Sequence, residues 1–174
     1  MDVSPAAPGG PEELVDIVDA DDQVLAVVPR SRMRAENLRH RSVGIMIVNH
    51  VGEILIHRRA DTKDVWPGWW DLAVGGVVAS GESYDDAARR ELAEEVGVEA
   101  VALDHLSSGH YEDDDVRAIV HTYCVVWDGP VVFNDGEVVE ACWVGMAELR
   151  RRVATDRFVP DSLAIATPLL HLDV

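Results

Sequence analysis

Glu91, Glu94 and Glu95 stand three and four positions apart in ARRELAEEVGV, residues 88 to 98. An α-helix turns by about 100° per residue, so a helix here would gather the three carboxylates within an arc of about 100°. Like charges at this spacing repel by a few tenths of a kcal/mol per pair. Locally, only Arg90 is placed to offset the repulsion, by pairing with Glu94. A hard divalent cation resolves the conflict more fully. Mg²⁺ or Mn²⁺ takes oxygen ligands, keeps some water and shares its shell with substrate phosphates. Periodicity alone leaves a solvated acidic helix face as the alternative.

Such carboxylates work only if the chain holds them rigidly. Ser83 is a helix cap with Asp86 at the third helical position, and Gly97 is suited to a left-handed stop. The predicted helix runs from Ser83 to about Val96, and Ala88, Leu92 and Val96 form an apolar stripe for packing on a sheet. Residues 72 to 79, β-prone around Gly75-Gly76, lead into it through the Ser80-Gly81 turn. Upstream, LVDIVDADDQVLAVV predicts a hairpin and RSRMRAENLRHR a helical turn. SVGIMIV (42–48) and EILIHRR (53–59) predict a second hairpin, and ADTKDVWPGWWD an ordered loop. Further strands are expected at 99–109, 117–127 and 138–144, with helices from Met146 and after Pro160, the last limited by Pro168. The expectation is one mixed α+β domain over residues 13–174, after a Pro-, Gly- and Ala-rich disordered leader, residues 1–12.

The wider spacing is more specific. Gly76, five residues, Glu82, seven residues, Arg90-Glu91-Leu92, one residue, Glu94-Glu95, one residue and Gly97-Val98 reproduce every fixed position of the Nudix box. The chain therefore resembles the Nudix hydrolase superfamily. That resemblance implies an α/β/α sandwich on a mixed sheet, with the box as loop-helix-loop, and Mg²⁺-dependent hydrolysis of a diphosphate linked to another group. By position, it implies that Glu91, Glu94 and Glu95 bind metal, helped by Glu82 and the backbone carbonyl of Gly76. Arg90 would orient a catalytic glutamate. The general base would be Glu94 or Glu95, or a loop glutamate such as Glu137 or Glu140 in DGEVVEACW.

VDIVDADDQV, MRAENLRHR, ILIHRRADTKDVWPGWWD and DGEVVEACW are also similar to the Nudix branch that includes isopentenyl diphosphate isomerase, over most of residues 14 to 145. The isomerase places a cysteine and a metal-binding histidine in the strand before the helix. Gly75 and Val77 stand there in this chain, AIVHTYC lacks the isomerase's strand glutamates, and the box is intact. A hydrolase is favoured; isomerase-like activity and a non-catalytic nucleotide-binding protein are the alternatives. His40 resembles one isomerase histidine but reads as a polar residue at a strand start.

Arg58 and Arg59 can reach phosphates from a strand end, and Lys63 more weakly. Trp66, Trp69 and Trp70 flank Pro67-Gly68 and can cover the organic part of a substrate, with Trp70 the chosen candidate. The formal net charge of −17 argues against nucleic acid polymers and anionic membrane surfaces, which require basic patches. No apolar run approaches the roughly 20 residues of a membrane span, and the N-terminus lacks a secretory pattern. Cys124 and Cys142, without metal-ligand spacing, are expected to be buried free thiols of a cytoplasmic protein. A small diphosphate-containing substrate and a possible homodimer through the N-terminal hairpin complete the expectations.

Overall fold

The computed structural model describes residues 12–133 and 136–172; the expected leader, apart from Glu12, lies outside them. The first two strands, β1 (Leu14–Val18) and β2 (Val24–Pro29), form the expected antiparallel hairpin. A short helix, α1 (Arg30–Ala35), follows, and its one buried residue, Met33, packs against Val15, Ile17, Val28 and Val77.

The next strand, β3 (His40–Val48), organises the sheet because both its edges are occupied. One edge runs parallel to β8 (Arg117–Val126) over nine residue pairs, His40↔Ala118 to Val48↔Val126. Along the other edge three strands take turns. Ile17 of β1 pairs with His40, β6 (Val74–Val77) pairs antiparallel with residues 42–45, and β4 (Ile54–Arg59) meets β3 only at Val48↔Ile54. The second hairpin expected from sequence is therefore a turn whose strands part at once, since β6 occupies the edge that β4 would need. Beyond its turn β4 pairs with the two-residue β5 (Trp70–Asp71) and with β9 (Val138–Val144). β7 (Asp104–Glu112) completes the sheet beside β8.

Side chains alternate across β3 as a doubly covered strand requires. Val43, Ile45 and Ile47 face α2 (Tyr84–Val96) and pack with its Ala88, Leu92 and Val96. Burial of a residue such as Leu92 stabilises by about 1.5–3 kcal/mol. Met46, with Ile54 and Ile56, faces α3 (Met146–Thr155) and α4 (Pro160–Leu170), which supply Leu149 and Ala166 to the opposite core. The architecture is α+β: helices on both faces of a mixed sheet.

Two element boundaries and the burial of the cysteines depart from expectation. The strand predicted at 99–109 starts at Asp104, since Ala100 holds a left-handed φ of 56° and Val101 and Leu103 pack on the α2 core as irregular chain. Pro168 lies inside α4, which continues to Leu170 before a left-handed His171. Both cysteines are free, as expected, but half-buried rather than buried. Among the described residues, no helix is long and apolar enough to cross a membrane.

Candidate active site

The glutamate helix is anchored at both ends as its sequence foretold. Ser83 Oγ accepts from the Asp86 N–H at 3.1 Å and donates to the Asp86 carboxylate at 2.7 Å. Gly97, at φ 69°, donates its N–H to the Ala93 carbonyl at 3.0 Å. Between these ends the carboxylates meet β6. A Cβ at Gly76 would overlap the Glu91 carboxylate, so only glycine lets Glu91 lie against the strand. Glu95 Oε2 accepts from the Gly75 N–H at 3.3 Å. The Gly76 carbonyl accepts from Ser42 Oγ at 3.1 Å.

Arg90 joins the carboxylates. Its Nε and Nη2 each lie 2.9 Å from Glu82, one to each oxygen; its Nη1 donates to Glu91 at 2.7 Å and to Glu94 at 3.2 Å. Glu82 also accepts from the Ala79 N–H at 3.0 Å, which ties loop to helix. The arginine holds Glu82 below the usual carboxylate range. Glu91, 12% exposed at its side chain, is pushed up, chiefly by burial. Glu95 is pushed up to about 8, by burial first and then by the charge of Glu91. Glu94 is the outward member of the three, its side chain 62% exposed.

Among the described residues no three acidic, histidine or cysteine side chains form a ready-made metal cage, for Arg90 stands between Glu91 and Glu94. The surroundings still suit a hard cation. The side-chain donors are all oxygens, and Glu91 and Glu95 are two desolvated carboxylates, Glu91 raised further by the charge of Glu94 and Glu95 by that of Glu91, a repulsion a divalent cation would relieve.

Gly75 and Gly76 also border a cavity of about 120 Å³ between the β3–β8 face and α4. Arg30, Arg34, Arg59 and Lys63 line it, four of the 15 cationic side chains in a strongly acidic chain. Arg59 lies 3.5 Å from Asp71, Arg34 lies 3.7 Å from Asp64, and Lys63 is ion-paired with Glu137. The Nε atoms of Arg34 and Arg59 and the Thr122 hydroxyl are buried without a hydrogen-bond partner. Asp161, on α4, is pushed up to about 7, chiefly by burial and then by Asp71. His40, also on the wall, donates Nδ1–H to the Leu38 carbonyl, and burial lowers it to about 4, so the ring is neutral.

The fold thus brings Glu82, Arg90, Glu91, Glu94 and Glu95 together beside Gly76, with Arg59 on the adjoining cavity. Arg58, Glu140 and Trp70 fall elsewhere. Arg58 and Glu140 are opposite one another in the β4–β9 register and 3.4 Å apart. They lie on the face that carries Ile56 and Cys142, away from α2, and neither lines the cavity. Trp70 is 8% exposed, packed in the α3–α4 core with the Arg152 guanidinium 3.9 Å from its ring centroid. A Trp70 contact with substrate is therefore corrected to core packing; of the three tryptophans, Trp66 lines the cavity. Arg30, Arg34, Thr122, Asp71 and Asp161 were not expected here. Each reads locally as a strand, loop or helix-start residue, and only chain crossings gather them.

The NUDIX domain family matches residues 38–162. A Nudix hydrolase of Yersinia pestis is 40% identical over 151 residues, covering 87% of this chain and 82% of its own length. The Nudix hydrolase YfcD of Escherichia coli K12 is 39% identical over 151 residues, covering 87% of this chain and 83% of its own. The crystal structure of DR0079 from Deinococcus radiodurans superposes with a TM-score of 0.76 at 29% identity, covering 91% of this chain and 98% of that one.

Proposed function

This chain belongs to the NUDIX domain family and is a Nudix hydrolase, an enzyme acting on phosphorus-containing acid anhydrides; from that premise we propose that its substrate is a small organic diphosphate hydrolysed with Mg²⁺. The observation that carries this reading is the convergence of desolvated Glu91 and Glu95 on the glycine strand beside a cavity lined by four cations. Cationic side chains would meet a diphosphate on the cavity side, and the carboxylates would hold the divalent ion that offsets its charge.

In this reading Glu91, Glu94 and Glu95, with the Gly76 carbonyl, hold Mg²⁺ (Mn²⁺ can replace it). When bound, the ion neutralises phosphate oxygens and acidifies water. Arg90 fixes the rotamers of Glu82 and Glu91 and so holds the carboxylates that would carry the ion at a set spacing. Arg59 and Lys63, on the cavity wall, hold the diphosphate, and Lys63 is near enough to Glu95 to favour its charged form. In the overall step a water oxygen bonds to phosphorus, the bridging P–O bond breaks, and the water proton passes to a carboxylate. Glu94 and Glu95 are the candidate bases. Glu137, held by Lys63 beside the cavity, is better placed for a loop contribution than Glu140.

The relation to the isomerase branch belongs to the same reading: glycine at 75 and valine at 77 lack a side chain able to serve as that enzyme's acid-base cysteine or its histidine ligand. So do a single domain over 13–174, a cytoplasmic setting, in keeping with two free thiols, and a homodimer through the β1–β2 hairpin. The edge strand β2 exposes Val24, Leu25 and Val27.

The direct test measures phosphate release from a panel of organic diphosphates with Mg²⁺ and with EDTA. Glu94→Gln and Glu95→Gln should each lower kcat at least tenfold with the fold retained by circular dichroism; wild-type rates in both would reject the assignment.

A further inference from the structure

The cavity beside the carboxylates is small, and its size limits what it can hold. An engineered apolar cavity of about 150 Å³ holds one benzene ring. At about 120 Å³ the interior of this one matches a single ring, and because it is open to solvent the rest of a substrate extends out of it. Its walls suit a flat group: Met46, Val120 and Ile165 are apolar, and Trp66 closes one side. Trp66 is held at φ 47° although Pro67 follows it, a conformation disfavoured for a bulky residue and again for a pre-proline one. Such strain persists only where the surroundings impose it. Here the loop pins the indole between the cavity and Tyr111, which it meets edge-on at 6.4 Å.

One wall group has no structural employment. Thr122, 2% exposed, turns a side chain to the cavity whose hydroxyl lacks any hydrogen-bond partner. Its neighbour in register is Gly44, so no side chain from β3 stands beside it at that level. A buried hydroxyl left unpaired is destabilising unless a ligand engages it.

Resting on the diphosphate hydrolase reading above, we infer that the preferred substrate is a diphosphate ester of a single-ring alcohol whose ring carries a hydrogen-bond acceptor, and that the Thr122 hydroxyl selects it. The ring lies against Trp66, Thr122 donates to the ring heteroatom, and the diphosphate extends toward Arg59, Lys63 and the glutamate helix. Hydrolysis joins a water oxygen to the terminal phosphorus and breaks the bridging P–O bond. It yields the ring-alcohol monophosphate, orthophosphate and one proton.

Three probes separate the elements of this inference: pyridylmethyl diphosphate, benzyl diphosphate of equal size without the acceptor, and ADP. With Mg²⁺, wild-type kcat/KM for the pyridylmethyl ester should exceed both others about tenfold, the worth of one hydrogen bond of ordinary strength. Thr122→Val should erase the pyridylmethyl–benzyl difference through KM while kcat holds. It removes an unpartnered group, so the melting temperature of the ligand-free protein should not fall. Ile165→Ala, which enlarges the cavity from a half-buried position, should raise activity on ADP relative to the pyridylmethyl ester. A tenfold preference for ADP, or an unchanged pyridylmethyl–benzyl ratio in Thr122→Val, overturns the inference while leaving the diphosphatase reading intact. Metal-dependent release from none of the three, or from any broader panel, overturns both.

Discussion

Arg90 carries a larger share of the site than its place in the motif suggests. Paired bonds to Glu82 and single bonds to Glu91 and Glu94 make it the hub that keeps mutually repelling carboxylates at fixed spacing. Lysine preserves the charge and loses the fork. Arg90→Lys should therefore lower kcat about tenfold and destabilise by roughly 1.5–3 kcal/mol, the range for hydrogen bonds to charged groups; kinetics and urea melts report the two effects. His40 gives a separate reading of burial. Its value falls from the ordinary histidine range to about 4 when folded, so between about pH 6.5 and 4 the unfolded chain binds a proton that the folded chain refuses. Stability present above this window is lost as pH falls through it, by about 3 kcal/mol at most. Glu95 and Asp161, both raised, act in the opposite sense, so the informative quantity is a difference. His40→Gln, whose amide can still donate to the Leu38 carbonyl, should melt less steeply with acid than wild type over that window. Equal slopes would place the titration elsewhere.

The helix α2 and strand β6 act as one device: a capped, rigid carboxylate face laid against a glycine strand. Gly76→Ala tests the fit, since the added methyl collides with the Glu91 carboxylate rather than with backbone. Glu91 must swing away, so activity should fall at least tenfold while the melting temperature moves by only a few degrees. Ser83→Ala removes the cap and should cost about 1 kcal/mol with little effect on KM. This element was legible in the chain itself, because a cap, a 3.6-residue stripe and a glycine stop are all local signals. The role of β6 was not. Residues 72–79 announce β structure, but nothing local says that they displace β4 from the edge of β3, and that displacement forms the recess beside Gly75. Arg58 and Arg59 show the same limit: both end one strand, yet a register irregularity between them accompanies one lining the cavity and the other pairing with Glu140.

For the molecule as a whole, a net charge of −17 has to be offset locally for the proposed anionic substrate, and Arg30, Arg34, Arg59 and Lys63 supply positive charge at one cavity that also carries Asp64, Asp71 and Asp161. The same protein leaves the apolar residues of β2 exposed, on the hairpin proposed to join two copies. Sedimentation at micromolar concentration should give about twice 19.1 kDa, and Val27→Glu should halve it with the helix content retained; a monomer in the wild type removes that proposal. The chain's order of residues was sufficient for the family, the glutamate helix and its caps, since helical phase, capping and motif spacing are properties of neighbours in sequence. Tertiary structure alone decided the cavity, its cations from α1 and the 59–63 segment, the packing of Trp70 in the core and the burial of the unpartnered Thr122 hydroxyl at the cavity wall. Those depend on which strand wins each edge of β3 and which face each side chain then takes, a competition among segments far apart in the chain that no local pattern records.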